Sequence, residues 1–156
     1  MSMEPENIAR LRTMYIFTPP PGQTWGLAYA RLEALLRQRN PGEFVRVDDG
    51  DEGPVRGSAM HFGITLDGER LEGMALLAPE GVSVQGCTVG EAAAFVLWLR
   101  DEVVPAGSGV VFNTEWGLEA GLADAVVPDA TRPRIAAAFV AHLEETGELD
   151  GPASSE

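Results

Sequence analysis

Two histidines and one cysteine are the side chains of this sequence best suited to nucleophilic or acid–base chemistry. A thiol or hydroxyl nucleophile needs a base within reach, and the candidates are His61, His142 and Cys87. Cys87 precedes a helix-forming run, and a helix N-terminus can lower the pKa of a thiol. A Cys87–His61 pair is therefore one hypothesis, whereas a small buried cysteine without a chemical role is the simpler interpretation.

The residue types offer little to a metal or a phosphate group. Zinc sites need three or four Cys or His ligands at short spacings, which one cysteine and two distant histidines do not supply. The acidic run DDGDEG at 48–53 lacks the ligand spacing and the distal Glu of an EF-hand. The sequence has no lysine, no GxxxxGK[ST] loop and no GxGxxG motif. We therefore expect no metal and no cofactor.

Two pairs of carboxylates could in principle perform general acid–base catalysis. They are Glu115 with Glu119 and Asp124 with Asp129. Such pairs arise by chance in a chain that contains 24 acidic residues. The candidate chemistry therefore weighs against an enzyme without excluding one.

Hydrophobic periodicity predicts an α+β fold, in which helices pack mainly on one face of an antiparallel sheet of about five strands. The strand candidates are 14–17, 43–47, 58–66, 71–77, 82–84 and 109–112. Three helices are predicted at 24–39, 89–103 and 132–146. Their start signals are Thr24, the Thr88/Glu91 capping box, and Thr131 followed by Pro133. Asp67-Gly68 predicts a tight hairpin turn.

Length and composition predict one domain over residues 1–150 and a disordered acidic tail at 151–156. A single cysteine allows no internal disulfide, which fits a reducing cytoplasm. The first residues are acidic and polar rather than a secretory signal, and no run approaches the ~18 apolar residues of a membrane span. We expect a cytoplasmic protein; its oligomeric state is not predicted.

Charge is the strongest bulk signal in the sequence. The formal net charge is −13, and residues 101–156 carry 11 acids against two arginines. Such a chain should be repelled by nucleic acid and by anionic membranes, so neither is an expected direct partner. An acidic surface can simply keep a protein soluble, or it can attract a basic protein.

The segment 112–129, FNTEWGLEAGLADAVVPD, shows no clear helical or strand periodicity. Loops of this length in compact domains tend to be functional or disordered, and this one has too many apolar residues to be disordered. It either covers one end of the core or forms a recognition surface. In the second interpretation Trp116 anchors a partner, and Glu115, Glu119, Asp124 and Asp129 supply charge.

FNTEWG, LADAVVPD and the late AFVAHLEETG run resemble a family of small, uncharacterised actinobacterial (Streptomyces-like) proteins over roughly residues 58–147. Small acidic α+β proteins of that kind are similar to immunity proteins, which neutralise a toxin by plugging its active site. The resemblance implies a non-enzymatic, immunity-like or antitoxin-like inhibitor that occludes a basic protein partner, such as a toxin. It assigns no catalytic residue.

Two alternatives stay open. One is a small enzyme or ligand-binding domain with a pocket between the sheet and helix 24–39, which would use Tyr29, His61 and Cys87. The other is a mimic of DNA, which requires acidic side chains at the spacing of duplex phosphates.

Overall fold

A computed structural model describes residues 4–48 and 58–146. The predicted tail, and the acidic run apart from Asp48, lie outside the described residues. The strands are β1 (Thr13–Thr18), β2 (Val45–Asp48), β3 (Ala59–Leu66), β4 (Glu69–Leu77), β5 (Glu80–Cys87), β6 (Val111–Thr114) and β7 (Ala125–Val126). They form an antiparallel sheet in the order β2-β3-β4-β5-β1-β6-β7.

Within residues 4–48 and 58–146, five α-helices and one π-helical segment accompany the sheet. The helices are α1 (Pro5–Ile8), α2 (Tyr29–Arg39), α3 (Val89–Trp98), α4 (Glu115–Glu119) and α5 (Arg132–Glu145); the π-helical segment is Leu99–Val103. The α+β class and the antiparallel sheet are confirmed. The expected numbers of about five strands and three helices are only roughly right, because β7, α1 and α4 are too short to show a periodic pattern.

The core lies between one face of the sheet and the helices α3 and α5. Alternate side chains of a strand point to opposite faces, and the rings of Tyr15, Phe62 and Phe112 point towards the helices. Phe139 of α5 lies 5.1 Å from Tyr15 and 4.6 Å from Phe112 between ring centroids, and Phe95 of α3 lies 6.3 Å from Phe62. Pairs of this kind add about 0.5–1.5 kcal/mol to the stabilisation from burial. This packing fixes α5 over β1 and β6.

Strands β2–β3–β4–β5 form an antiparallel meander and correspond to the strand candidates 43–47, 58–66, 71–77 and 82–84. Asp67 and Gly68 have φ angles of 53° and 80°, as a two-residue hairpin turn requires, and Phe62 of β3 faces Gly73 of β4. The edge strand β2 begins at Val45 rather than at Glu43. The Glu43 carboxylate instead accepts a hydrogen bond of 2.6 Å from the Thr65 amide of β3, so a side chain replaces the missing part of the edge strand.

The prediction that a helix starts at Thr24 is wrong, since α2 begins at Tyr29. The Glu80 carboxylate accepts hydrogen bonds from the Thr24 hydroxyl (2.7 Å) and from the Trp25 and Leu27 amides (2.8 and 2.6 Å). Burial alone would raise the pKa of Glu80, but these hydrogen bonds outweigh it and the pKa is lowered. Residues 24–27 therefore wrap around an anion instead of making helical bonds.

The other two helix starts behave largely as expected. Thr88 and Glu91 form the capping box at α3. Pro133 lies in the first turn of α5, although the Thr131 side chain makes no capping hydrogen bond there. The predicted helix 89–103 changes character at Leu99, where the Val104 amide bonds to the Leu99 carbonyl at 2.9 Å in the π-helical pattern. Short π segments occur often at functional sites.

Candidate functional site

The segment 112–129 contains the end of one strand, a short helix and a second short strand rather than one long loop. Strand β6 runs to Thr114, α4 follows directly, and β7 returns along the edge of the sheet. The Thr114 hydroxyl accepts a hydrogen bond of 2.9 Å from the Gly117 amide and so caps α4. An N-cap threonine with an acid in the first turn is a recognised start signal. Five helical residues are too few to reveal themselves by periodicity.

A buried polar network holds α4 against α5. The Thr114 hydroxyl and Nε2 of His142 share a hydrogen bond of 3.0 Å. Asn113 Nδ2 donates to the Leu122 carbonyl (3.1 Å) and to Asp124 Oδ1 (3.0 Å), while Asn113 Oδ1 accepts from the Thr114 amide. The network therefore positions both α4 and the connection to β7.

The predicted acidic residues are all on the surface. Glu115, Glu119, Asp124 and Asp129 are exposed. Of these four, only Asp129 has a basic partner among the described residues: its Oδ1 lies 3.5 Å from Nη1 of Arg100.

Two further acids lie in the last turn of α5, the helix that packs against α4. Glu144 and Glu145 are exposed and form no ion pair with any described residue. They follow His142, which is bonded to the cap of α4. We call Glu115, Glu119, Glu144 and Glu145 together the acidic ridge.

Trp116 packs partly against the hydrophobic core and is not the exposed side chain that its acidic neighbours suggested. Leu118 (53% exposed) and Val126 (72% exposed) are the large apolar side chains that face solvent here. Leu118 lies three residues after Glu115 and one before Glu119, so the three share one side of the helix. Their exposure could not be predicted, because a leucine or valine in such a segment is equally compatible with a place in the core.

The three residues of the alternative pocket do not come together. The Tyr29 hydroxyl on α2 bonds to Ser58 Oγ at 3.0 Å, whereas His61 projects from the face of the sheet opposite the core. His61 lines a shallow cavity of about 260 Å³ with Arg46, Arg70 and other residues. A cavity of about 140 Å³ does lie at the start of α2, but none of the three residues lines it.

The environment of Cys87 does not favour nucleophilic chemistry. Its side chain is completely buried, and its Sγ donates to the Gln85 carbonyl at 3.4 Å. Burial, followed by the charge of Glu91, raises the pKa of Cys87 to about 12, although Arg12 opposes the shift. The thiol therefore stays protonated near neutral pH. In the described part of the chain, no group of three or more His, Cys, Asp or Glu side chains could hold a metal ion.

His142 should make folding stability depend on pH. Its burial lowers the pKa below the ordinary value of 6.5, and nearby Glu145 only partly offsets this. As pH falls through 6.5, the His142 imidazole binds a proton in the unfolded chain but stays neutral in the folded chain. Stability is thus present above pH 6.5 and declines below it by at most about 1.4 kcal/mol per pH unit, until the folded pKa is reached.

Urea unfolding between pH 7 and 5.5 tests this. The free energy of unfolding should fall less steeply with decreasing pH in His142→Gln than in the wild-type protein. An unchanged slope in His142→Gln would contradict the assignment.

Comparisons with known proteins add no family to these observations. No protein family model, no curated protein and no solved structure matches the chain. None of the helices in the described residues has the length and hydropathy that a membrane crossing requires. The resemblance to immunity-type proteins stays a prediction, and the function has to be argued from the surface itself.

Proposed function

We propose that this chain is a non-enzymatic acidic binding protein, an immunity-like or antitoxin-like inhibitor that occludes a basic protein partner. The observation that carries the proposal is the acidic ridge, in which four exposed carboxylates from two helices have no cationic partner among the described residues. Surfaces of one sign accelerate encounter with partners of the opposite sign. Asp124 and Asp129 extend the charge towards β7.

The buried network beneath the ridge supports this interpretation. Glu115 and Glu119 are like charges four residues apart on one helix and repel each other, and a bound cationic partner would relieve that repulsion. The Thr114–His142 hydrogen bond and the close approach of Gly117 to His142 fix α4 in place. A rigid surface loses less conformational entropy on binding than a mobile one.

Leu118 supplies the apolar contact in this proposal. It is exposed on the same side of α4 as Glu115 and Glu119, and apolar side chains bordered by polar ones are a common arrangement in protein interfaces. Trp116 does not contact the partner in this proposal. It packs against the core and supports the backbone that carries Leu118. Occlusion would then place Leu118 in an apolar recess of the partner and the four carboxylates on its basic rim.

A charge-matched pair of variants tests the proposal. A partner is first captured from a lysate of the source organism on immobilised wild-type protein, and association rates are then measured against salt concentration. Glu115→Gln/Glu119→Gln should slow association at low salt by about 5-fold, and the difference should shrink as salt screens the charges. The control is Glu69→Gln/Glu72→Gln, which removes the same charge from exposed positions on β4.

The control variant should associate within about 2-fold of the wild-type rate. Equal slowing by both variants would mean that only net charge matters and would remove the ridge from the interface. A salt-independent rate would contradict the electrostatic mechanism as a whole.

A further inference from the structure

A groove of about 600 Å³ lies between the π-helical segment, the connection 105–110 and the end of β7. Part of its wall is aliphatic, formed by Val96, Val104, Val110, Val126, Val127 and Ile135. Polar groups line the rest, among them Gln23, Ser108 and the charged side chains Arg100 and Asp129. The groove therefore combines an aliphatic wall with one ion pair, and the acidic ridge contributes no residue to it.

The ion pair in the groove is loose. Arg100 Nη1 donates to the Ala130 carbonyl at 3.2 Å and lies 3.5 Å from Asp129 Oδ1, while Nε lies 3.6 Å from Asp101 Oδ1. Strong hydrogen bonds between charged groups are about 2.7–2.9 Å long. The Asp129 side chain is fully exposed, whereas that of Arg100 is only 28% exposed. Asp129 thus keeps most of its capacity to accept hydrogen bonds.

We propose that this groove receives an arginine side chain of the basic partner, whose guanidinium takes the place of Arg100 on Asp129. The methylene stem of an arginine packs well along aliphatic walls such as Val104 and Val126. Its planar head can then bond to a carboxylate through two parallel N–H groups. The inference rests on the proposed function only for the source of the arginine, since the groove itself can be tested without the partner.

Arg100 is the reason for choosing arginine over other ligands. One nitrogen of its guanidinium, Nη1, already contacts both the Ala130 carbonyl and the Asp129 carboxylate, so the two acceptors lie within reach of one guanidinium group. An anionic ligand would meet Asp129 in a protein of net charge −13. Because Arg100 must be displaced, it acts as an internal competitor, and its removal should strengthen binding.

The direct test uses Nα-acetyl-arginine amide as the probe and amide chemical shifts of the full chain as the readout. A ligand of this size should bind with a dissociation constant on the order of 1 mM. Shifts should concentrate at residues 104–110 and 126–130. Asp129→Asn should weaken binding by about 2- to 5-fold, and Arg100→Gln should strengthen it by a similar factor. Nα-acetyl-citrulline amide, which has the same shape without the charge, should produce no saturable shifts.

Arg70→Gln is the matched control, because it removes the same charge from an exposed position on β4. Three strand spacings separate β4 from β6, about 14 Å, which exceeds the screening length of about 8 Å at physiological salt. It should leave binding unchanged. Equal strengthening by Arg70→Gln and Arg100→Gln, shifts confined to the ridge, or no saturable shifts would each overturn the inference. None of these results bears on the Glu115/Glu119 experiment, so the two proposals can fail separately.

Discussion

Gly117→Ala should displace α4 and weaken both folding stability and partner binding. A Cβ at this position would overlap Asn113 Oδ1 and come within 2.6 Å of His142 Nε2. Both atoms belong to the buried network, so neither can move without breaking a hydrogen bond to Thr114. Overpacking costs about 1–3 kcal/mol, and an orphaned buried polar group costs a similar amount. We expect the free energy of unfolding to fall by about 2–4 kcal/mol in urea titrations.

Gly90→Ala is the control for that variant. Gly90 also lies in a helix, but a Cβ there would meet nothing closer than Arg132 Nη2 at 4.0 Å. Alanine is favoured over glycine inside helices by about 1 kcal/mol, so this variant should be neutral or slightly stabilising. The captured partner should bind Gly90→Ala normally and Gly117→Ala at least about 10-fold more weakly, because α4 no longer presents Glu115 and Leu118 together. A Gly117→Ala protein of wild-type stability would show that the network tolerates displacement and does not fix the ridge.

The parts of the fold that could be predicted from sequence are those with repeated local signals. Alternation along β3 and the Asp67-Gly68 turn identified the meander, and Thr88 with Glu91 placed the start of α3 correctly. The predicted start of helix 24–39 was wrong because Glu80, more than 50 residues away in sequence, accepts hydrogen bonds from the Thr24 hydroxyl and from the Trp25 and Leu27 amides. Local pattern carries no information about such a distant acceptor.

Only the acidic composition of the candidate site could be recognised from the sequence. The acidic residues of 112–129 are exposed, as predicted. The buried network that holds α4 in place was not predicted, because its Thr114–His142 hydrogen bond joins residues 28 positions apart. One signal was available: Asn113 and Thr114 end an apolar strand, and buried polar residues there need partners. Arg100 could not be connected with Asp129 in advance, because a change from α- to π-helical bonding has no marker in the sequence LRDEV.

Gly73→Ala is the second substitution with a large expected effect, and it tests the core that supports the whole sheet. Gly73 faces Phe62 across β3 and β4, and a Cβ there would overlap the Phe62 ring. That ring is 2% exposed and stacks on Phe95, so it has no free direction in which to move. Overpacking of this kind should cost about 1–3 kcal/mol in the free energy of unfolding.

Gly63→Ala separates this overlap from a general effect of alanine in a strand. Gly63 lies on β3, on the opposite face of the sheet, and a Cβ there would meet only the Arg70 guanidinium, at 3.2 Å. An exposed arginine can swing away, so the free energy of unfolding should change by less than about 0.5 kcal/mol. Thermal and urea unfolding of both variants should therefore show a clear loss for Gly73→Ala alone. Equal losses would point to strand backbone entropy or twist, rather than to the contact between Phe62 and Gly73, as the reason for glycine in this sheet.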